Sequence, residues 1–253
     1  MRIGYVKPLG RPYQPVVYAA VNGLAIFQGC IILGTVAEMD AVVAAIKLQP
    51  LVLKIPDMDL QLLGAGIKGA KYRWDNKTIP YVIDPGFPNP NLIKDAIDHW
   101  RARTDIKFVD RDQTHQDYVR FSSVRDGCAS SVGRQGGEQQ VVLAPDCVTG
   151  NVIHEIGHTV GLWHEQSRSD RDKYIEILWD KISPTARHNF EQHIDDGIDL
   201  GSYDYKSIMH YPAIAFPMIP GQETIRPRQA GVEIGQREGL SEGDIAAVAK
   251  LYA

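Results

Sequence analysis

An α+β fold is predicted by the way strand-like and helix-like segments share the chain. Short runs rich in β-branched and aromatic residues, TIPYVIDP, IKFVD and YVRFSS, are interleaved with NPNLIKDAIDHWRAR, whose Leu92, Ile93, Ile97 and Trp100 recur at helical spacing. NVIHEIGHTVGLW then reads as a second helix, after which the pattern fades over 165–240. The chain closes on SEGDIAAVAKLY, where Ser241 stands three places before Asp244 as a capping box and Ile245, Val248 and Leu251 line one face.

Residues 1 to about 60 have a different texture. They are rich in Val, Ile, Ala and Leu, with prolines at 8, 12, 15, 50 and 56. VAEMDAVVAAIK (36–47) suits a short helix stopped ahead of Pro50, because the residue before a proline disfavours helical backbone. LQLLGAGIKGAK (60–71) brings Gly64, Gly66 and Gly69 close together, which suggests a flexible joint. The expected division is therefore 1–65 and 66–253. Further on, GRQGGEQQVVLAP (133–145) is a glycine-rich approach to a short strand, and its charged and amide residues predict a sheet edge with backbone groups free to pair with an extended peptide.

Bulk properties exclude several classes. With 253 residues, 44% of them hydrophobic, the chain can bury a substantial core. Its 27 Lys and Arg against 31 Asp and Glu are interspersed, so it lacks the clustered positive surface that nucleic acid requires. No stretch approaches the roughly 20 consecutive apolar residues of a membrane span, and MRIGYVKPLGRPYQP has no compact apolar core of a signal peptide. Cys128 and Cys147 bracket a short segment while Cys30 stands alone, and an odd count leaves at least one thiol unpaired within the chain.

The chemistry is concentrated in HEIGHTVGLWHEQ. His154 and His158 lie four residues apart, so on a helix both imidazoles leave one face and can share a zinc ion. Glu155 is set round from that face, which suits a base beside the metal rather than a ligand on it: zinc lowers the pKa of a bound water, and the carboxylate can take its proton during attack on a carbonyl. Gly161 can adopt positive φ and turn the chain so that His164 returns to the same ion. Three histidines leave one position open, the arrangement of a catalytic rather than a structural zinc site. A non-peptidase zinc hydrolase of a small molecule would use the same ion. A catalytically silent secreted binding protein would have no need of Glu155.

The stretches GCASSVGRQGGEQQVVLAPDCVTGNVIHEIGHTVGLWHEQSRSDRD, SIMHY (207–211) and LSEGDIAAVAKLY together resemble the astacin branch of the metzincin zinc endopeptidases over roughly 72–253. Glu165, directly after the third histidine, is what separates that branch from other metzincins. The resemblance implies a two-lobed domain: a twisted, mainly parallel sheet with an antiparallel edge strand and a zinc-binding helix in the first lobe, and an irregular second lobe ending in a helix. It implies one catalytic zinc held by His154, His158 and His164, Met209 as a hydrophobic support beneath it, and Tyr211 as a resting-state ligand that swings away to stabilise the oxyanion. It further implies that Glu165 contacts a new N-terminus after trimming and that Cys128 and Cys147 form a disulfide. No cysteine is available for the family's other common bridge.

Propeptides of that family often carry F-x-G-D, whose aspartate blocks the zinc. Here FQGC, Phe27 to Cys30, resembles that stretch with cysteine in the aspartate's place. A thiolate is a strong zinc ligand, so Cys30 can fill the open position and hold the enzyme latent; the alternative is a buried apolar cysteine. The expectation is a secreted, monomeric zymogen acting on protein or peptide substrates once an activating protease has removed residues 1–65.

Overall fold

The computed structural model describes residues 1–6, 13–48, 66–193 and 197–253. In chain order the elements are β1 (Arg2–Val6), β2 (Gln14–Val21), β3 (Leu24–Phe27), β4 (Ile31–Thr35), α1 (Val36–Leu48), β5 (Gly66–Ile67), β6 (Thr78–Ile83), α2 (Pro90–Arg103), β7 (Lys107–Asp110), β8 (Tyr118–Ser123), β9 (Cys128–Ser130), β10 (Glu138–Leu143), α3 (Thr149–Val160), β11 (Ile175–Ile177), β12 (Gly197–Ile198), β13 (Ile225–Pro227) and α4 (Glu242–Leu251). Of the joint expected at 60–71, residues 60–65 lie outside the described residues.

The expected α+β architecture is present. One sheet runs in the order β1-β2-β3-β4-β9-β10-β8-β6-β7. Its 66–253 portion is parallel across β10, β8, β6 and β7, with β9 antiparallel at its margin. Helix α2 lays Ile93, Ala96, Ile97 and Trp100 against this sheet, all essentially inaccessible to water, and each large side chain so buried contributes about 1.5–3 kcal/mol. The same core takes Val152, Ile153, Ile156 and Val160 of α3, Met209, and Val248 and Leu251 of α4. The capping box of α4 forms as its sequence suggests: Asp244 N donates to the Ser241 hydroxyl at 2.9 Å, and Ser241 N to the Asp244 carboxylate at 3.0 Å. Residues 165–240 hold short 3-10 turns and the small β11–β13 ribbon around a second core that includes Ile175, Phe190, Tyr203, Tyr211 and Ile225.

Two sequence expectations change. The strand at 138–143 is not an edge: β10 is paired on both sides, to β9 and β8. Its polar residues are satisfied by neighbours instead, Glu138 by Tyr118 and Arg120 and the buried Gln139 by backbone groups of Gln135 and Gly133. The margin of the 66–253 sheet is the three-residue β9. Residues 1–35, in which no strand was expected, supply four antiparallel strands that extend the sheet beyond it. The helix expected at 36–47 is present as α1.

Main-chain pairing between the two parts is narrow, although Phe27 and Ile31 pack with Ile67, Val132 and Trp163, and Ile26 and Ile32 with Ala129 and Val142. Among the described residues one register pair, Ile31 opposite Ser130, joins β4 to β9 in parallel, supported by Ser130 N donating to the Cys30 carbonyl at 2.9 Å and the Ser131 hydroxyl to the Ile32 carbonyl at 3.2 Å. Between β3 and β4 the tip Gln28-Gly29-Cys30 turns with positive φ at Gln28 (48°) and Gly29 (78°). That turn points into the cleft between the two cores.

Candidate metal centre

Helix α3 is held by its neighbours before it holds anything itself. The indole N–H groups of Trp100 and Trp74 donate to the Ile153 and Thr159 carbonyls at 3.1 and 2.9 Å, fixing the helix from two directions. Met209 sits against its middle: a Cβ on Gly157 would come within 2.5 Å of the Met209 sulfur, so glycine between the two histidines is what lets the methionine approach. Gly161 ends the helix at φ 119°, with Leu162 N donating to the Gly157 carbonyl and Gly161 N to that of His158, a Schellman motif. The turn brings His164 back beside His158, as the sequence led one to expect.

Four donors then converge. Cys30 Sγ lies 3.5, 3.3 and 3.2 Å from the Nε2 atoms of His154, His158 and His164. The Nε2 atoms of His158 and His164 are 3.3 Å apart, and all four donor atoms lie within 4.8 Å of one another. A tetrahedral zinc with ordinary bond lengths would set its nitrogens about 3.3 Å apart and a sulfur about 3.6 Å from each. The donor set therefore fits the ion.

The far side of each ring supports the same assignment. Nδ1 of His154 meets the Ile208 carbonyl at 2.8 Å, that of His158 the Leu162 carbonyl at 2.7 Å, and that of His164 the Gln28 side-chain oxygen at 3.1 Å. Each partner only accepts, so each Nδ1 carries the proton and each Nε2 turns a lone pair toward the others. Burial keeps the imidazoles neutral: it drives His158 down to about 3 and His154 and His164 well below the usual histidine range. Burial, and then the charge of Glu155, pushes the Cys30 thiol far up, so a thiolate at this point needs a cation beside it.

Glu155 lies on the same helix, 2% exposed, with its carboxyl pushed up to about 8 by burial and eased down by a Ser130 hydrogen bond and by Arg237. Tyr211 donates its hydroxyl to the Gln28 carbonyl, and its ring centroid is 4.6 Å from that of His164. Glu165 accepts from Asp204 N at 2.8 Å and faces Arg168 at 3.5 Å, and burial raises it to about 8. Cys128 and Cys147 form a disulfide, which ties β9 to the approach of α3. Of the residues singled out in the sequence, the structure brings together Cys30, His154, His158 and His164, with Tyr211 beside His164 and Met209 packed in the core under α3, while Glu165 turns to Asp204 and Arg168. Two were missed: Gln28, which contacts both His164 and Tyr211, and Ser130. Gln28 stands within FQGC, but its engagement depends on a left-handed turn that no residue type announces.

Residues 66–253 match the model of the astacin peptidase family. The chain is 41% identical over 185 residues to zinc metalloproteinase nas-13 of Caenorhabditis elegans, covering 71% of this chain and 41% of that one. It is 43% identical over 180 residues to an astacin-like metalloendopeptidase of Coturnix japonica, covering 69% and 43%. Among solved structures it resembles high choriolytic enzyme 1, a hatching enzyme zinc-protease from Oryzias latipes, at TM-score 0.64 and 34% identity over 77% of this chain and 98% of that one. The chain spans less than half the length of the two curated relatives named here.

Proposed function

The chain belongs to the astacin family of peptidases, and from that premise we propose that residues 66–253 are a zinc-dependent endopeptidase held latent by residues 1–65. The observation that carries this reading is the meeting of Cys30 Sγ with three histidine Nε2 atoms at 3.2–3.5 Å. One of the four donors comes from the N-terminal unit and three from the zinc helix and its turn.

Zinc bound by His154, His158 and His164 would supply Lewis acidity, acidifying a water and polarising a substrate carbonyl. The chain's own groups do the rest. With the N-terminal unit gone, β9 is an open strand edge along which an extended peptide can pair, Ser130 N donating to a substrate carbonyl as it now donates to that of Cys30. Glu155 takes the proton of the attacking water and passes it to the leaving nitrogen, from a carboxylate set on the same helix as His154 and His158 and hydrogen-bonded by Ser130. Tyr211 donates its hydroxyl to the oxygen that becomes negative, once the Gln28 carbonyl no longer occupies it. Met209 supports the helix from beneath, and trimming gives Glu165 a cationic N-terminus as partner.

In the intact chain the tip 28–30 blocks this machinery at three points. Cys30 takes the open ligand position, the Gln28 carbonyl takes Tyr211, and the Gln28 side chain fixes His164. The disulfide agrees with a secreted protein, and an activating protease would cut within GAGIKGAK, 64–71. No helix among the described residues is long and apolar enough to cross a membrane. The test is digestion of unfolded proteins by the intact chain before and after limited proteolysis, with and without a chelator. Internal cleavage that appears on trimming and vanishes with chelation is the expected result. Hydrolysis confined to small esters or amides would favour the small-molecule hydrolase, and no hydrolysis at all the silent binding protein.

A further inference from the structure

Ser130 ends β9 and is completely buried. Its hydroxyl lies 2.8 Å from Oε2 of Glu155 and 2.8 Å from the main-chain carbonyl of the same residue. Among the described residues it is the one hydrogen-bond donor to that carboxylate. Its backbone N–H meanwhile donates to the chain lying along the strand edge, at present the Cys30 carbonyl. A single residue thus touches the carboxylate with its side chain and the edge-bound chain with its backbone.

A buried glutamate without a fixed partner has a broad torsional well at its terminal bond, and a group misplaced by about 1 Å can cost about 100-fold in rate. On the reading that Glu155 is the base, we propose that Ser130 is its positioning residue: the hydroxyl holds the carboxylate in one orientation and links that orientation to the strand edge that receives the peptide. A hydroxyl suits the task because it is neutral. It orients the carboxylate by a hydrogen bond alone. The single hydroxyl proton is shared between Oε2 and the main-chain carbonyl of Glu155, both at 2.8 Å, so the same contact ties β9 to α3.

The experiment compares Ser130→Ala and Ser130→Thr with the parent, each made as the full chain and trimmed in the same way. Ser130→Ala is expected to lower kcat by about 10-fold to 100-fold with KM and zinc content unchanged and Tm lowered by no more than a few degrees, and Ser130→Thr, which keeps the hydroxyl, to recover most of the loss in kcat. A crystal structure of the untrimmed Ser130→Ala chain should show the Glu155 carboxylate rotated or in several conformers. An unchanged kcat in Ser130→Ala would overturn the proposal. So would a threonine variant that folds and binds zinc yet is as slow as alanine, or a Glu155 carboxylate unmoved in the crystal. If the trimmed parent cleaves no peptide, the reading of Glu155 as a peptidase base fails separately, while the crystallographic comparison still decides whether Ser130 orients the side chain.

Discussion

The catalytic sheet and the N-terminal sheet lie in one continuous plane but are secured by opposite means. From β9 to β7 the strands share one core with Trp100 and Ile97 of α2 and the apolar face of α3, with the Cys128–Cys147 bond at the margin. The β1–β4 unit has only a small core of its own around Tyr18, Ala25 and Met39 and meets β9 through a single register pair. Two apolar clusters, Phe27 and Ile31 against Ile67, Val132 and Trp163, and Ile26 and Ile32 against Ala129 and Val142, join it to the 66–253 part, and its polar attachments converge on the histidines: Cys30 to all three, Gln28 to His164 and Tyr211. The large core around Trp100 and α3 includes no residue of β1–β4, so contacts of the two parts can be altered separately.

Substitutions in the two halves should therefore have separable consequences. The largest effect is expected from Glu155→Gln: after trimming, kcat/KM should fall by roughly 10²–10⁴-fold, while the intact chain keeps its N-terminal unit and resists trimming as the parent does. Replacing both Cys128 and Cys147 by serine reopens a loop spanning 19 residues and should cost the 66–253 core about 3 kcal/mol in denaturant unfolding, with latency retained at temperatures where the chain is folded. Cys30→Ser acts on the other half. Activity of the untrimmed chain should rise by more than about 10-fold, the lower end of what even an outer partner of a metal ligand is worth, with an unchanged melting profile for the core. Gln28→Ala should be milder, because it removes the hydrogen bond to His164 while its own backbone carbonyl still meets Tyr211; a leak of about fivefold corresponds to one hydrogen bond of about 1 kcal/mol. If Cys30→Ser instead destabilised the core as much as the disulfide pair does, the two halves would not be separable in this way.

Legibility differed between the halves for physical reasons. The metal centre was readable because its spacing is set by helix geometry: four residues bring His158 under His154, and only a residue tolerant of positive φ at 161 returns His164 to them. The disulfide and the roles of Met209 and Tyr211 came from resemblance, not from spacing. The edge strand was misplaced because Glu138 and Gln139 suggest exposure when read alone, whereas Tyr118, Arg120 and the Gly133 backbone satisfy them inside the sheet. The true margin, Cys128–Ser130, is three residues long, too short for an alternating pattern to register. The N-terminal strands stayed hidden for a related reason: β1 to β4 are short, carry apolar residues at successive positions, and Pro15 stands at the start of β2, so neither a period of two nor of 3.6 dominates. Ser130 lay in plain view within GCASSVGR, but nothing local marks which of two adjacent serines meets the glutamate 25 residues later.

The central claim is that the intact chain carries its zinc on three histidines and one cysteine. Zinc K-edge X-ray absorption on the untrimmed 253-residue chain tests it directly. The account predicts one sulfur near 2.3 Å, the usual zinc–thiolate distance of about 2.3 Å, with the remaining neighbours nitrogen. A shell of nitrogen and oxygen with no sulfur, in a chain that is nonetheless loaded with zinc and inactive, would contradict it.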